Sequence, residues 1–429
     1  MTVPPRAVVV VTGSELVRGG RRDANGPFLA AELARQGLDP ARIVIVGDGP
    51  DELAAALREG LDADLCVVSG GVGPTHDDRT VAALAAATGR SLVVDEGLER
   101  EIEAFSRSVA ERLGRPYADF AAGVSKQASL PEGSVSLGLA GTAPALLLEH
   151  GGSVVVVLPG PPGELRRLWP RALEHPAVAD VFARAAPRGR RVLRFFGPSE
   201  SAVARALDEV GGEEEGLAAT VCARNLEIHV DLFFAPEAEE RSRALERALT
   251  SSFAGELFAV DDERPIEELV LHACRAARLT LTAAESCTGG LVAARLTDIP
   301  GASDVFLGGV VAYSDEAKQT QLDVPEDVLR EHGAVSAETA LAMAAGARRR
   351  FGADVGIAVT GIAGPGGGTP EKPVGLVYLA VESPRGDSTE KFVLPGDREA
   401  VRTRAAALAL HLLRRLLTQS DTPARGAER

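Results

Sequence analysis

Residues 67–80 read VVSGGVGPTHDDRT: an apolar run enters three glycines, Gly70, Gly71 and Gly73, and leaves through Thr75, Asp77, Asp78 and Thr80. A strand that ends in glycines before a helix belongs to an open α/β sheet, where backbone N–H groups at the strand end approach a phosphate closely. Working outward, AVVVVT (7–12), RIVIV (42–46), DLCVVS (64–69) and SVVVVL (153–158) are short valine-rich runs. Helical spacing falls between several of them, as at 26–36 and 51–61. Continuous apolar runs, rather than alternating ones, predict parallel strands covered by helices on both faces. The polar loops GSELVRGGRRDAN (13–25) and VGDG (46–49, with Asp48) join the glycine loop at the crevice where such sheets bind ligands. Adjacent carboxylates beside a phosphate cradle call for a divalent metal, since alone they would repel the substrate. The alternative reading is a tight turn with a capping aspartate.

The first domain is expected over 1–170, closing with the helix opened by LPGPPGELRRLW. From about 188 the texture changes to strand, helix, strand, helix: RVLRFFG, SESAVARALDEV, LEIHVDLFFA and 236–252. This predicts a small α+β module over 171–258 with no catalytic constellation. DDERPIEELVLHACRAARL then opens a second α/β domain over 259–418, with strands expected at 279–285, 306–312, 354–360 and 374–381. The polar residues 419–429 read as a flexible tail. The fold class is therefore two α/β domains with predominantly parallel sheets, joined by the small module.

The formal net charge of −15 works against direct nucleic-acid binding, because phosphate backbones attract lysine and arginine. Small-molecule nucleotides remain open as ligands. No run of about 18 uninterrupted apolar residues predicts a membrane span. The opening MTVPPRAVVVVTGSE reads as a core strand rather than a signal peptide. Cys66, Cys222, Cys274 and Cys287 form no CxxC pair, which fits a reducing cytoplasm. Only four of the 46 basic residues are lysines: Lys126, Lys318, Lys372 and Lys391. A lysine kept where arginine fills nearly every basic role has one distinctive use, to lose its proton when desolvated.

AAESCTGGLVAARL (283–296) puts Ser286 and Cys287 where a strand ends and a helix over 288–297 begins. Ser286 is there either a nucleophile or a helix cap. The N–H groups of Thr288, Gly289 and Gly290 are candidates for an oxyanion site. A serine nucleophile needs a base, and VVAYSDEAKQ (310–319) offers one: Lys318, with Tyr313 to relay a proton. In AVTGIAGPGGGTPEKPVG (358–375), Thr360 ends a strand beside Gly364, Gly366 and Gly367, a loop suited to phosphate. Arg398 and Arg402 in GDREAVRTRAA are further cations for it.

Taken together, these segments resemble the CinA family over essentially all of 1–415. GSELVRG, VGDG and SGGVGPTHDDRT resemble its N-terminal domain, which is similar to the molybdopterin-binding MoaB, MogA and MoeA proteins. GSELV stands where G-[DN]-E-L-L is commoner, and Val72 where leucine is usual. The resemblance implies that Asp78 and Asp48 are the functional acids of a nucleotide or pterin pocket, with metal-dependent ADP-ribose pyrophosphatase activity. The segments around Ser286, Tyr313, Lys318 and Thr360 resemble the family's C-terminal domain. It implies a nicotinamide-mononucleotide (NMN) deamidase that converts NMN and water to nicotinate mononucleotide and ammonia with no cofactor. It also implies a KH-type middle module, a homodimer and a place in pyridine-nucleotide salvage. Two rivals stand beside this reading: a molybdopterin-related binding protein, and a non-enzymatic competence or DNA-damage partner.

Overall fold

The computed structural model describes residues 5–185, 188–212, 216–224 and 226–418. The expected tail at 419–429 and residues 213–215 lie outside these residues. The chain divides into two compact units, Met1–Arg190 with Ala235–Glu237, and Arg191–Phe234 with Ala238–Arg429.

In the first unit β1 (Ala7–Thr12), β2 (Pro40–Val46) and β3 (Leu65–Ser69) appear within two residues of their expected bounds. A short pair, β4 (Leu92–Val94) and β5 (Ser129–Pro131), stands apart from the main sheet. β6 (Val135–Leu139), β7 (Pro144–His150) and β8 (Ser153–Leu158) complete a sheet in the order β2-β1-β3-β8-β7-β6. Its β2-β1-β3-β8 half is parallel, and the β8-β7-β6 half is antiparallel. The reason for the unbroken valine run of β1 is visible in its packing. Val8 and Val10 enter one core cluster, whereas Ala7, Val9 and Val11 enter the cluster on the opposite face. Each buried valine contributes about 1.5–3 kcal/mol. The boundary expected at 170 falls inside the helix Pro162–Leu173. Trp169, Ala172, Val178 and Val181 fill the first unit's core, so this unit runs on through the helix Pro176–Ala183.

The second unit contains both the small module and the last α/β segment. The module's sheet is β10-β11-β9-β12, from β9 (Gly189–Phe196), β10 (Leu217–Arg224), β11 (Glu227–Phe234) and β12 (Leu257–Val260). The helices Glu200–Glu209 and Glu239–Ser252 cover one face through Val203, Leu207, Leu245 and Leu249. Ser199 caps the first of these helices, accepting from the Ala202 N–H at 3.2 Å.

The last segment forms a five-stranded sheet, β14-β13-β15-β16-β17. Its strands are β13 (Leu281–Glu285), β14 (Phe306–Val311), β15 (Val355–Gly361), β16 (Leu376–Glu382) and β17 (Ser388–Val393). β14, β13 and β15 are parallel, and β16 and β17 return antiparallel. β17 alternates between intermediate and exposed residues at the sheet edge, so it lacks the apolar run that marks the other strands. Gly346 lets the helix Ala337–Phe351 approach the helix Asp315–Leu322, because a Cβ there would lie 1.8 Å from the Leu322 carbonyl oxygen. Among the described residues no helix is long and apolar enough to cross a membrane.

Candidate functional site

Three parallel strands end side by side at the Ser286 turn. Glu285 pairs with Val311 of β14 and with Val359 of β15, so Ser286 is flanked by Ala312 and Thr360. The Ser286 N–H donates to Val359 at 2.9 Å, and the Ala312 N–H to Glu285 at 2.8 Å. Side chains alternate along β13 and past its end: Leu281, Ala283 and Cys287 enter one core cluster, and Ala284 enters the other with Ala312 and Ala358. By that alternation Ser286 and Thr360 belong to the face covered by the helix Asp315–Leu322, which carries Lys318.

Lys318 is 2% exposed, and none of the other three lysines is buried. Its Nζ donates to the Ala312 carbonyl at 3.3 Å and lies 3.8 Å from Asp315. Burial pushes its pKa below the ordinary lysine value, against the opposing pull of Asp315 and Cys287. Lys372 instead fastens the glycine-rich loop, donating to His332 at 2.7 Å and Val335 at 2.9 Å. Cys287 is buried, and desolvation pushes its thiol up to about 11.

Several expected roles change. The helix begins at Leu291 rather than 288, after Gly289 and Gly290 at φ of 60° and 96°. The Gly289 N–H is spent on the Ser286 carbonyl at 3.0 Å, and the Gly290 N–H on Glu285 at 3.0 Å. Neither glycine N–H therefore faces a substrate. The Cys287 and Thr288 N–H groups have no oxygen acceptor among the described residues, and both are directed at the Cys287 sulfur. The Thr288 hydroxyl is buried and has no hydrogen-bond partner among the described residues.

Among the described residues Tyr313 makes no hydrogen bond to Lys318. Its ring is exposed, and its hydroxyl accepts from Arg398 at 2.5 Å, which removes the expected direct relay. Thr360 is buried and donates its hydroxyl proton to the Ala334 carbonyl at 2.7 Å, so its oxygen is left to accept. Arg398 also donates to Gly364 at 2.8 Å, whereas Gly366 and Gly367 are exposed. Arg402 donates to the carbonyls of Cys287 at 3.1 Å and Thr288 at 2.8 Å. The two arginines share one side of the C-terminal helix, Arg398–Thr418, and hold all three loops. Arg402 is thus a brace for the turn rather than a free phosphate partner. Sequence reading missed Glu285, because a lone glutamate at a strand end looks like a solvated charge.

In the first unit a cavity of about 600 Å³ opens at the ends of β1, β3 and β8. Asp48, Gly70, Gly71, Gly73, Thr75, Asp77 and Asp78 all line it. Asp48 and Ser14 lock two loops reciprocally, Ser14 N–H to Oδ2 at 2.9 Å and Asp48 N–H to Oγ at 3.1 Å. The Thr75 hydroxyl meets both Asp77 and Asp78, the latter at 2.5 Å, and its N–H donates to Asp78 at 2.9 Å. Its hydrogen bond holds Asp77 below the usual carboxylate range. Thr80 is buried behind the loop and donates to the Gly70 carbonyl at 2.8 Å, so it shapes the cradle instead of lining it. Asn25, within the quoted 13–25 segment but not singled out there, gives both amide protons away, to Ser69 at 2.9 Å and Gly160 at 2.7 Å. Its buried Oδ1 has no partner among the described residues and borders the cavity. Among the described residues, no group of three or more His, Cys, Asp or Glu side chains could hold a metal ion by itself.

Residues 263–417 match the CinA C-terminal domain, and residues 8–179 match a probable molybdopterin binding domain. A CinA-like protein of Mycolicibacterium paratuberculosis is 42% identical over 438 residues, covering 98% of this chain and 100% of that protein. One from Mycobacterium leprae is 41% identical over 430 residues, with 98% and 100% covered. The crystal structure of competence/damage inducible protein CihA from Agrobacterium tumefaciens is 44% identical, covering 35% of this chain and 94% of that one at a TM-score of 0.34. Similarity of this level along nearly the whole length means that the chain belongs to the CinA family.

Proposed function

We propose that the last α/β segment is an NMN deamidase acting through a Ser286–Lys318 pair. The observation that carries this reading is the buried Lys318, held on Ala312 one strand from Ser286, with its pKa lowered by desolvation. Neutral Lys318 takes the Ser286 hydroxyl proton as Oγ attacks the carboxamide carbon. The oxyanion is met by the N–H groups of Cys287 and Thr288, the donors in the turn without an oxygen acceptor. Thr360, its own proton committed to Ala334, accepts from the amide NH₂ and orients it. As the C–N bond breaks, Lys318 returns the proton and ammonia leaves. Water, deprotonated by Lys318, then cleaves the acyl ester to nicotinate mononucleotide and free Ser286. Arg398 and Tyr313 supply charge and a hydroxyl at the exposed rim. Ammonia release from NMN by the purified protein tests the reading, and no release above a Ser286→Ala control would sink it.

For the first unit we propose hydrolysis of a nucleotide diphosphate such as ADP-ribose. Asp77 and Asp78, converging on Thr75, fit a magnesium-type ion held jointly by one or two carboxylates and substrate phosphates. Such an ion supplies charge stabilisation at the diphosphate. The unpartnered Asn25 Oδ1 supplies an acceptor for a ligand N–H or O–H.

A further inference from the structure

Glu285 is 2% exposed, yet no cation lies within salt-bridge distance of it among the described residues. A buried carboxylate survives only when its charge is met by other donors. Three backbone N–H groups meet this one. Oε2 accepts from Gly290 and Val292, each at 3.0 Å, and Oε1 accepts from Ala293 at 2.8 Å. The cap of the helix Leu291–Thr297 is therefore supplied from the strand, six residues before the helix begins. Gly290 at the N-cap position has no side chain to do it.

The consequence falls on the residues between. The turn 286–290 leaves a strand fixed on both sides and is tied at its far end to the carboxylate of Glu285. Arg402 grips its carbonyls at Cys287 and Thr288. One side chain collects the N–H groups at the turn's end, and the other collects carbonyls at its middle. Of the turn's N–H groups, only those of Cys287 and Thr288 have no oxygen acceptor among the described residues; the Cys287 sulfur lies beside both.

We propose that Glu285 is a positioning residue for the reaction at Ser286: by fixing the far end of the turn it sets the Ser286 hydroxyl and keeps the Cys287 and Thr288 N–H groups for the oxyanion. The proposal rests on the deamidase reading. It also accounts for a charge that works against an anionic substrate: Glu285 faces the helix start and spends those donors, so the helix end is not a phosphate site.

The test uses the full-length protein with Glu285→Gln, which keeps size but replaces one accepting oxygen by an NH₂ that cannot accept, and Glu285→Asp, which keeps charge. A displacement of about 1 Å at a reacting group costs ~10²-fold. Glu285→Gln is accordingly expected to lower kcat for NMN by ~10²-fold with KM nearly unchanged, and Glu285→Asp to recover part of the loss. The rate of Ser286 labelling by a fluorophosphonate, read by mass spectrometry, should fall in parallel. A lower melting temperature with unchanged kcat and labelling in the folded protein would mean a merely structural role and overturn the proposal. If Glu285→Gln does not fold, Glu285→Asp carries the same comparison. If wild-type protein releases no ammonia from NMN, the deamidase reading fails and labelling decides alone. Slower labelling in the variant then supports Glu285; equal labelling, or none in the wild type, overturns it.

Discussion

Nε2 of His411 lies 2.9 Å from Oε1 of Glu227, a contact that anchors the C-terminal helix on β11 of the small module. Phe196 stacks on the imidazole at 3.8 Å, and Arg194 donates to the other Glu227 oxygen at 2.9 Å. Nδ1 of His411 has no partner among the described residues, so protonation would bury an N–H without an acceptor there. The same helix grips the Ser286 turn with Arg402, nine residues earlier in the chain.

This contact predicts acid sensitivity with a definite sign. Burial pushes His411 below 6.5, and hydrogen bonds from His229 and His411, with Arg194 nearby, outweigh burial to hold Glu227 far below the usual carboxylate range. Both groups bind fewer protons folded than unfolded, so stability falls as pH falls, for His411 from about 6.5 downward and for Glu227 below about 4.5. His411→Phe should cost about 1–3 kcal/mol at pH 7.5, the scale of an unsatisfied buried partner. Its gap from wild type in thermal melts should narrow towards pH 5. A constant gap at every pH would refute the assignment.

The residues assigned to the proposed deamidation all lie within 285–402, yet the C-terminal helix is tied to residues 191–234. A fragment of residues 260–429 should still release ammonia from NMN, but melt below a fragment of residues 191–429, which keeps Phe196 and Glu227. Equal melting temperatures would show that the module adds no stability there.

Ser286 and Cys287 are adjacent but face different surroundings. Ser286→Ala should lower turnover by ~10³-fold or more, the scale of losing an acyl-transfer nucleophile. Cys287, packed in the core with its thiol at about 11, should tolerate alanine within ~10-fold. A dead Cys287→Ala enzyme beside an active Ser286→Ala one would make the protein a thiol amidase.

Lys318 as base requires the unprotonated amine, so kcat/KM should rise with pH and level off below 10.5, where its pKa is lowered by burial. Asp315 opposes that lowering, so Asp315→Asn should move the inflection to lower pH. Lys318→Arg should be inactive, because arginine keeps its proton. An unmoved inflection in Asp315→Asn would assign the titration to another group.

Asp78→Asn should abolish metal-dependent hydrolysis of ADP-ribose and leave deamidation intact. Unchanged pyrophosphatase kinetics would reduce Asp78 to the turn former that its bond to the Thr75 N–H also allows.

Much of this was legible before the fold was known. Valine runs mark β1, β3 and β8 because both faces of those strands are covered, and a residue type repeated locally records that directly. β17 was missed for the converse reason: at the edge it carries Ser388, Glu390 and Lys391 and leaves no apolar signature. Lys318 stood out because so few lysines are present, and its burial supplies a physical reason for lysine there.

The amino-acid sequence by itself determined the valine-rich central strands, the glycine turns and the presence of Ser286, Lys318 and Thr360 at strand ends or just beyond them, since such features depend on neighbours a few residues away. Only the tertiary structure decided which donors and acceptors are spent. Arg402 braces a turn 114 residues away, Tyr313 answers to Arg398 across 85, and Glu227 meets His411 across 184. Each polar group bonds to whatever the packed strands and helices bring within about 3 Å, and partners that far apart in the chain leave no local pattern to read.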